Sequence, residues 1–173
     1  SDQFVMPGMM DMHVHLTLDN RISLGNFYKN SDADYAMLAA ENARKTLMAG
    51  ITTVRDLHAL SAEAIVAVRD AINRGAAQGP RIFTAGKAIS ATAGHADFYG
   101  VREDFAKLYH SSGVCDGADD CRRAVRAQYK IGADLIKIMA TGGGADKNGK
   151  KDSAAEMFDD ELVAIVEAAH RLD

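Results

Sequence analysis

The stretch that decides the fold is Met9-Met-Asp-Met-His-Val-His-Leu16, an apolar run with one aspartate and two histidines inside it. It follows the turn-forming pair Pro7-Gly8, and its composition predicts a buried β-strand. Side chains alternate between the faces of a strand, so His13 and His15 point the same way, and Asp11 shares their face. Two imidazoles on a stiff backbone can converge on one metal ion. The alternative is that the pair arises by chance or packs in a core.

Further strands and helices alternate along the rest of the chain. Apolar or β-branched runs predict later strands at residues 51–56, 81–85 and 134–140. Helix-forming composition, caps and apolar spacing predict helices at residues 34–49, 61–74, 119–131 and 160–171. This order requires parallel pairing with right-handed crossovers. The sequence therefore predicts an α/β fold with about four β/α units, which is half of an eight-stranded barrel.

A half barrel has open sheet edges at its first and fourth strands. Hydrophobic parallel strands normally have neighbours on both sides. We therefore expect residues 1–173 to be one part of a longer protein, with strands 5–8 lying outside this chain. No shift in composition marks a second domain within it.

Composition narrows the classes of partner. The 24 acidic and 20 basic residues give a net charge of −4, and basic residues do not interleave with aromatics, so we expect no nucleic-acid partner. No apolar run approaches the roughly 18 to 20 residues that span a bilayer, so we expect no membrane partner. Cys115 and Cys121 match neither a redox CxxC pair nor a zinc-knuckle spacing, which predicts reduced, unpaired cysteines.

Lys137 stands between two isoleucines in the predicted fourth strand. Burying an unpaired ammonium costs several kcal/mol, so this lysine must reach water, pair with a carboxylate or lose its charge. Position alone favours a structural, ion-paired lysine. A neutral amine could instead add carbon dioxide and form a carbamate, whose two oxygens can bridge two divalent ions.

Two residues at strand ends are candidates for substrate binding. His95 lies beside Gly94 in the loop after the third strand, where it either contacts substrate or is simply exposed. Arg55 ends the second strand and could orient a substrate carboxylate, although a local ion pair or a helix-capping role for Arg55-Asp56 is the favoured alternative. The remaining histidines are expected to have surface or packing roles: His58, His110 and His170.

Taken together, Val5-Met-Pro-Gly-Met-Met-Asp-Met-His-Val-His-Leu16 resembles the first-strand motif of the amidohydrolase superfamily. Later segments are similar, in order, to the second, third and fourth strand regions of its prolidase-like and imidazolonepropionase-related branch: Gly50-Ile-Thr-Thr-Val-Arg-Asp56, Gly79-Pro-Arg-Ile, Ile89-Ser-Ala-Thr-Ala-Gly-His95 and Ile136-Lys-Ile-Met-Ala-Thr-Gly-Gly143. Residues 158–170 resemble the helix before the fifth strand. The resemblance covers nearly the whole chain.

The resemblance implies a TIM-type (β/α)8 barrel of the metal-dependent hydrolase kind. In such enzymes, His13 and His15 would bind the more buried of two zinc ions, and Lys137, as a carbamate, would bridge it to the second. The implied reaction is hydrolysis of a dipeptide or an N-acyl amino acid by a hydroxide held between the two ions.

The same resemblance implies parts that residues 1–173 do not supply. The family uses histidines from the fifth and sixth strands and an aspartate from the eighth, as well as a small flanking β domain. We therefore assign no catalytic residue within this chain and expect it to be inactive alone. In the complete protein we expect a small peptide-like substrate and a homo-oligomer. The cytoplasm is the expected compartment, unless a leader precedes Ser1 and directs the protein to the periplasm or outside.

Two other functions are compatible with the sequence. The first is a mononuclear cyclic-amide hydrolase or deaminase of the same superfamily, in which Lys137 is an ordinary amine. The second is a non-catalytic half barrel that assembles with a partner chain.

Overall fold

The structure is a computed structural model that describes residues 4–19, 29–97, 102, 104, 112–142 and 155–172. Strands and helices alternate at first, and two helices follow the last strand. In chain order the elements are β1 (Met9–Val14), α1 (Asp32–Met48), β2 (Ile51–Asp56), α2 (Ala62–Asn73), β3 (Arg81–Thr84), α3 (Ala118–Ile131) and α4 (Asp159–His170). The chain divides into two compact units, Ser1–Thr84 and Ala85–Asp173.

The first unit is built on a parallel sheet with the order β1-β2-β3. Val14 pairs with Asp56, and Asp56 pairs with Thr84, so the three strands end at one level. Residues at the carboxyl ends of adjacent parallel strands therefore lie close together. This register positions the candidate site.

Helices α1 and α2 pack together and bury small and branched side chains against the sheet. Each begins at a serine whose hydroxyl accepts a backbone N–H, Ser31 for α1 and Ser61 for α2. Gly50 has φ +91° where the chain turns from α1 into β2, a backbone angle that side-chain-bearing residues rarely adopt. The buried core of this unit contains Leu16, Ala39, Ala43, Val54, Ala59, Ile65, Val68 and Ile82.

The second unit is organised by the packing of α3 against α4. Its buried core contains Ile89, Cys115, Cys121, Ala124, Val125, Met157, Ile165 and Ala168. Ile89 forms a parallel bridge with Ile138, and the neighbouring Ser90 forms one with Val114. Glu161, nearly fully buried in the first turn of α4, accepts the N–H groups of Phe158 and Gly117. Its carboxylate thus ties the start of α4 to the start of α3.

The four predicted helices are confirmed, with ends within two residues of the expected ones. The burial of the first strand is wrong: Met9 is 48% exposed and Met10 is 69% exposed. The reason is that β1 lies at the edge of the described sheet and has only β2 beside it. The fourth strand is reduced, among the described residues, to the isolated bridge at Ile138.

The prediction of unpaired cysteines is also wrong. Cys115 and Cys121 form a disulfide with Cα atoms 5.0 Å apart, and both residues are buried. Cys121 lies in the first turn of α3 and Cys115 in the segment just before it. The disulfide therefore joins the start of the helix to the segment that leads into it. In the part of the chain that is described, no helix has the length and apolarity needed to cross a bilayer.

The packing of the first unit predicts a large cost for truncating Ile65, which is fully buried against the sheet. Ile65→Ala should lower the free energy of unfolding by about 2–5 kcal/mol, because it removes buried methyl groups and leaves a cavity. Urea unfolding followed by circular dichroism measures this. Met37→Ala, at a position 73% exposed on α1, is the matched control and should change the free energy by less than about 0.5 kcal/mol. Equal effects of the two variants would contradict the assigned core.

Candidate metal centre

The predicted histidine pair lies at the end of β1, with both rings on one side. The ring centroids of His13 and His15 are 5.2 Å apart and the planes meet edge to face at 74°. His13 is exposed and His15 is half-buried. Two imidazoles this close, on residues two apart, can approach one cation without rebuilding the backbone.

A hydrogen bond selects the tautomer of the neutral His15 ring. Its Nδ1 lies 3.0 Å from the carbonyl oxygen of His58. A carbonyl oxygen only accepts, so Nδ1 carries the hydrogen and donates it. In the neutral ring Nε2 then holds the lone pair and is available to bind a metal ion.

The segment after β1 is held by contacts with the segment after β2. The Leu57 N–H donates to the Val14 carbonyl at 3.1 Å, and the Leu16 N–H donates to Oδ2 of Asp56 at 2.7 Å. We call residues 14–18 and 56–60 the strand-end clasp. It also includes a bond from the Leu60 N–H to the buried hydroxyl of Thr17.

Helix α1 supports the clasp from outside it. The side-chain amide of Asn42 donates to the carbonyl oxygens of Leu16 and Leu18, at 2.9 and 3.3 Å. The backbone on the far side of His15 is thus tied to a helix as well as to a strand. A ligand held in this way keeps its geometry when no metal is bound.

Asp56 is a buried ionisable group in the clasp. Its side chain is fully buried, and Oδ1 has no hydrogen-bond partner among the described residues. Burial raises the pKa of Asp56 from its ordinary 3.8 to about 7, against the lowering effect of the backbone N–H groups of Leu16 and His58.

Asp11 contributes to the local backbone rather than to a ligand cluster. Its Oδ1 accepts the N–H of His13 at 3.0 Å. Within the described ranges, no group of three or more histidine, cysteine, aspartate or glutamate side chains is arranged to hold a metal ion. The first unit therefore offers a pair of imidazole ligands, which fits part of a zinc site and leaves further ligands to be supplied.

Arg55 is exposed on β2, and its Nε donates to the carbonyl oxygen of Met12 at 2.9 Å. Met12 directly precedes His13, so the guanidinium links the two strands beside the histidine pair. The local ion pair and the helix cap that the sequence favoured for Arg55-Asp56 are not among these contacts. Asp56 is instead bonded to backbone N–H groups beyond the ends of β1 and β2.

His95 lies in the second unit, exposed on a loop whose backbone is tightly bonded. The His95 N–H donates to Oε2 of Glu156 at 2.9 Å, and the Ala96 N–H donates to the Ser90 hydroxyl at 3.2 Å. A Cβ at Gly94 would lie 2.6 Å from Ser90 Oγ and 2.7 Å from Glu156 Oε2, so this loop needs a glycine there. The role of Glu156 in this loop was not predicted from the sequence.

Lys137 is half-buried in the second unit. Its carbonyl oxygen accepts the Ile89 N–H at 2.8 Å, in the parallel bridge that represents the fourth strand. Ile136 and Ile138 both pack against the core of that unit. Side chains alternate along an extended segment, so Lys137 points away from this core.

Comparison with known proteins identifies the family. The profile of the Amidohydrolase family matches residues 4–173, almost the entire chain.

The chain belongs to the amidohydrolase family.

Among curated proteins, the ochratoxinase of Aspergillus niger is 35% identical to it over 184 residues, covering 96% of this chain and 37% of the ochratoxinase. Among solved structures, a Xaa-Pro dipeptidase with methionine bound in its active site superimposes with a TM-score of 0.81 at 38% identity, over 95% of this chain and 41% of that one. A prolidase in complex with N-methylphosphonate-L-proline gives a TM-score of 0.78 at 34% identity, over 96% and 41% of the two chains.

This amidohydrolase chain thus spans about 40% of the length of the relatives that it matches. The relatives have the TIM-barrel fold, and the described parallel sheet and its helices correspond to part of that barrel. The predicted fold class and the resemblance are therefore confirmed. Members of the family are generally metal-dependent, in accord with the chemistry of the histidine pair.

The contribution of His58 to this amidohydrolase site was not recognised in the sequence. Its carbonyl oxygen binds the His15 ring, and its own ring lies 6.4 Å from that of His15. The only sequence signal was its position, two residues beyond the end of β2. His110 lies outside the described residues, and His170 is exposed at the end of α4.

The raised pKa of Asp56 predicts a pH dependence of stability. Between about pH 4 and pH 7 the folded protein keeps a proton on this carboxyl that the unfolded chain has lost. The contribution of protonated Asp56 to stability is therefore complete below the unfolded pKa of 3.8. It is lost as pH rises through the folded pKa of about 7. The contribution of Asp56 to the free energy of unfolding should fall by about 1.4 kcal/mol per pH unit in the middle of this window.

Urea unfolding of metal-free protein at pH 4, 5, 6 and 7 measures this slope, with Asp56→Asn as the reference. The free energy of unfolding of wild type minus that of the variant should fall steadily as pH rises from 4 to 7. A difference that stays constant would show that the carboxyl ionises at an ordinary pH.

Proposed function

We propose that the complete protein containing this chain is a zinc-dependent hydrolase that cleaves the amide or peptide bond of a dipeptide or an N-acyl amino acid. The observation that carries the proposal is the histidine pair at the end of β1, with His15 held in the tautomer that leaves Nε2 free to bind an ion. Two similar structures are described as a Xaa-Pro dipeptidase and a prolidase, and a curated relative is an ochratoxinase. The similarity to these proteins supports hydrolysis of an amide or peptide bond.

His13 and His15 would hold the first ion through their imidazoles. The family resemblance implies that Lys137 would hold a second ion as a bridging carbamate. Bound zinc would supply a nucleophilic hydroxide near neutral pH and polarise the scissile carbonyl.

The chain's own residues would orient the substrate and hold the ligands. The Arg55 guanidinium could pair with the substrate carboxylate while its Nε stays on the Met12 carbonyl. His95 is a further candidate for substrate binding, on a loop of the second unit where its backbone N–H donates to Glu156. The clasp keeps the His15 ring fixed, so that it need not be reorganised as the metal binds.

The histidine pair can be tested directly on the complete protein. His13→Ala and His15→Ala should each lose most of the bound divalent metal, measured by inductively coupled plasma mass spectrometry. Removing an ion that contributes several kcal/mol to the transition state should lower kcat/KM for a Xaa-Pro dipeptide more than about a hundredfold.

The matched control is His170→Ala, an exposed histidine at the end of α4. It should bind metal and turn over as the wild type does. Full metal content in both β1 variants, or a loss in the control as large as theirs, would contradict the assignment.

The bridging lysine has a separate test. Protein prepared in ¹³C-bicarbonate should show a carbamate carbon by NMR, and Lys137→Met should lack it and lose hydrolysis. Lys130→Met, at an exposed position in the last turn of α3, is the control and should retain both. A fully active Lys137→Met without a carbamate in wild type would favour the mononuclear hydrolase or deaminase instead.

A further inference from the structure

Asp56 takes part in a network of hydrogen bonds that connects residues 15, 16 and 58. Its carboxyl accepts the N–H of Leu16, the residue after His15, at 2.7 Å, and it also receives a backbone hydrogen bond from His58. The carbonyl oxygen of the same His58 accepts Nδ1–H of His15 at 3.0 Å. One carboxyl thus binds the backbone N–H of residue 16, next to His15, and that of residue 58, whose carbonyl meets the His15 ring.

The place of Asp56 in the sheet explains why a side chain is needed. The bond from the Leu57 N–H to the Val14 carbonyl follows the last paired residues of β1 and β2. Beyond it, side chains make the described links between the two segments, through Asp56 and through Thr17. The Asp56 carboxyl therefore helps to hold the backbone of residue 58, and with it the carbonyl oxygen that meets His15.

Burial makes this carboxyl costly. Asp56 is fully enclosed, and one of its oxygens has no partner among the described residues, so folding pays a desolvation cost that a hydrophobic residue would avoid. A buried carboxyl at position 56 is explained if it is needed to hold a hydrogen-bond acceptor against a metal ligand, because such outer partners orient the ring and select its tautomer.

We propose that Asp56 is a positioning residue for the metal centre: it holds the backbone of residues 56–58 so that the His58 carbonyl keeps His15 as its Nδ1–H tautomer, with Nε2 presented to the ion. The inference rests on the proposed function. It assigns Asp56 no contact with the metal or the substrate.

The test uses the complete protein with ¹⁵N-labelled histidine. In the metal-free wild type the ring nitrogens of His15 should report the Nδ1–H tautomer. In Asp56→Ala the two tautomers should mix, and the Kd for Zn²⁺ should rise about 10–100-fold, as found for lost outer partners of metal ligands. Asp56→Asn, whose amide oxygen can still accept the two N–H groups, should restore the wild-type tautomer and most of the affinity.

Ser61→Ala is the matched control, because it removes the N-cap of α2 nearby without touching the clasp. It should lower the melting temperature but leave the His15 tautomer and the Kd unchanged. An unchanged tautomer in Asp56→Ala, or a shift equalled by Ser61→Ala, would overturn the proposal.

Two further outcomes are informative. If Asp56→Ala does not fold, the wild-type spectrum and Asp56→Asn decide, since an Nε2–H tautomer in wild type or a mixed tautomer in Asp56→Asn would overturn the proposal. If wild type has the expected tautomer and Asp56→Ala loses it, but neither binds Zn²⁺, the positioning role stands and the proposed function fails.

Discussion

The hydrogen bond from the His15 ring to the His58 carbonyl is the interaction on which the candidate centre depends. A single bond of this kind contributes only about 0.5–1.5 kcal/mol net to stability. Its importance lies in selection, because it decides which ring nitrogen keeps a lone pair. The bond exists because the parallel register places Val14 opposite Asp56, which brings the segments after β1 and β2 side by side.

Much of this arrangement is encoded locally and could be predicted. The side-chain alternation of a strand puts His13 and His15 on one side, and their 5.2 Å separation agrees. Gly50 and Ser61 marked helix ends because positive φ and N-capping are properties of single residues. The roles of Asp56 and His58 could not be predicted in the same way. Every residue has a carbonyl, and which one meets His15 depends on the register between two strands, with its shifts between Asp11 and Val14.

Burial was the property least well predicted, and β1 shows why. An apolar run indicates that a strand can be buried, but its neighbours decide whether it is. Met9 and Met10 are exposed because β2 is the only described strand paired with β1. The segment around Lys137 illustrates the opposite case: Ile136 and Ile138 belong to the predicted fourth strand, and both pack against the core of the second unit. Pattern therefore predicts which face is apolar, and only the assembled structure shows how completely it is covered.

The disulfide gives the two units different sensitivities to their chemical surroundings. Both cysteines of the chain lie in the unit Ala85–Asp173, whereas Ser1–Thr84 contains none. A link across six residues restricts the unfolded chain modestly, by about 2 kcal/mol in the loop-entropy description. A change from oxidising to reducing conditions would therefore loosen the unit that carries Lys137 and His95. The unit that holds the histidine pair has no thiol through which to respond.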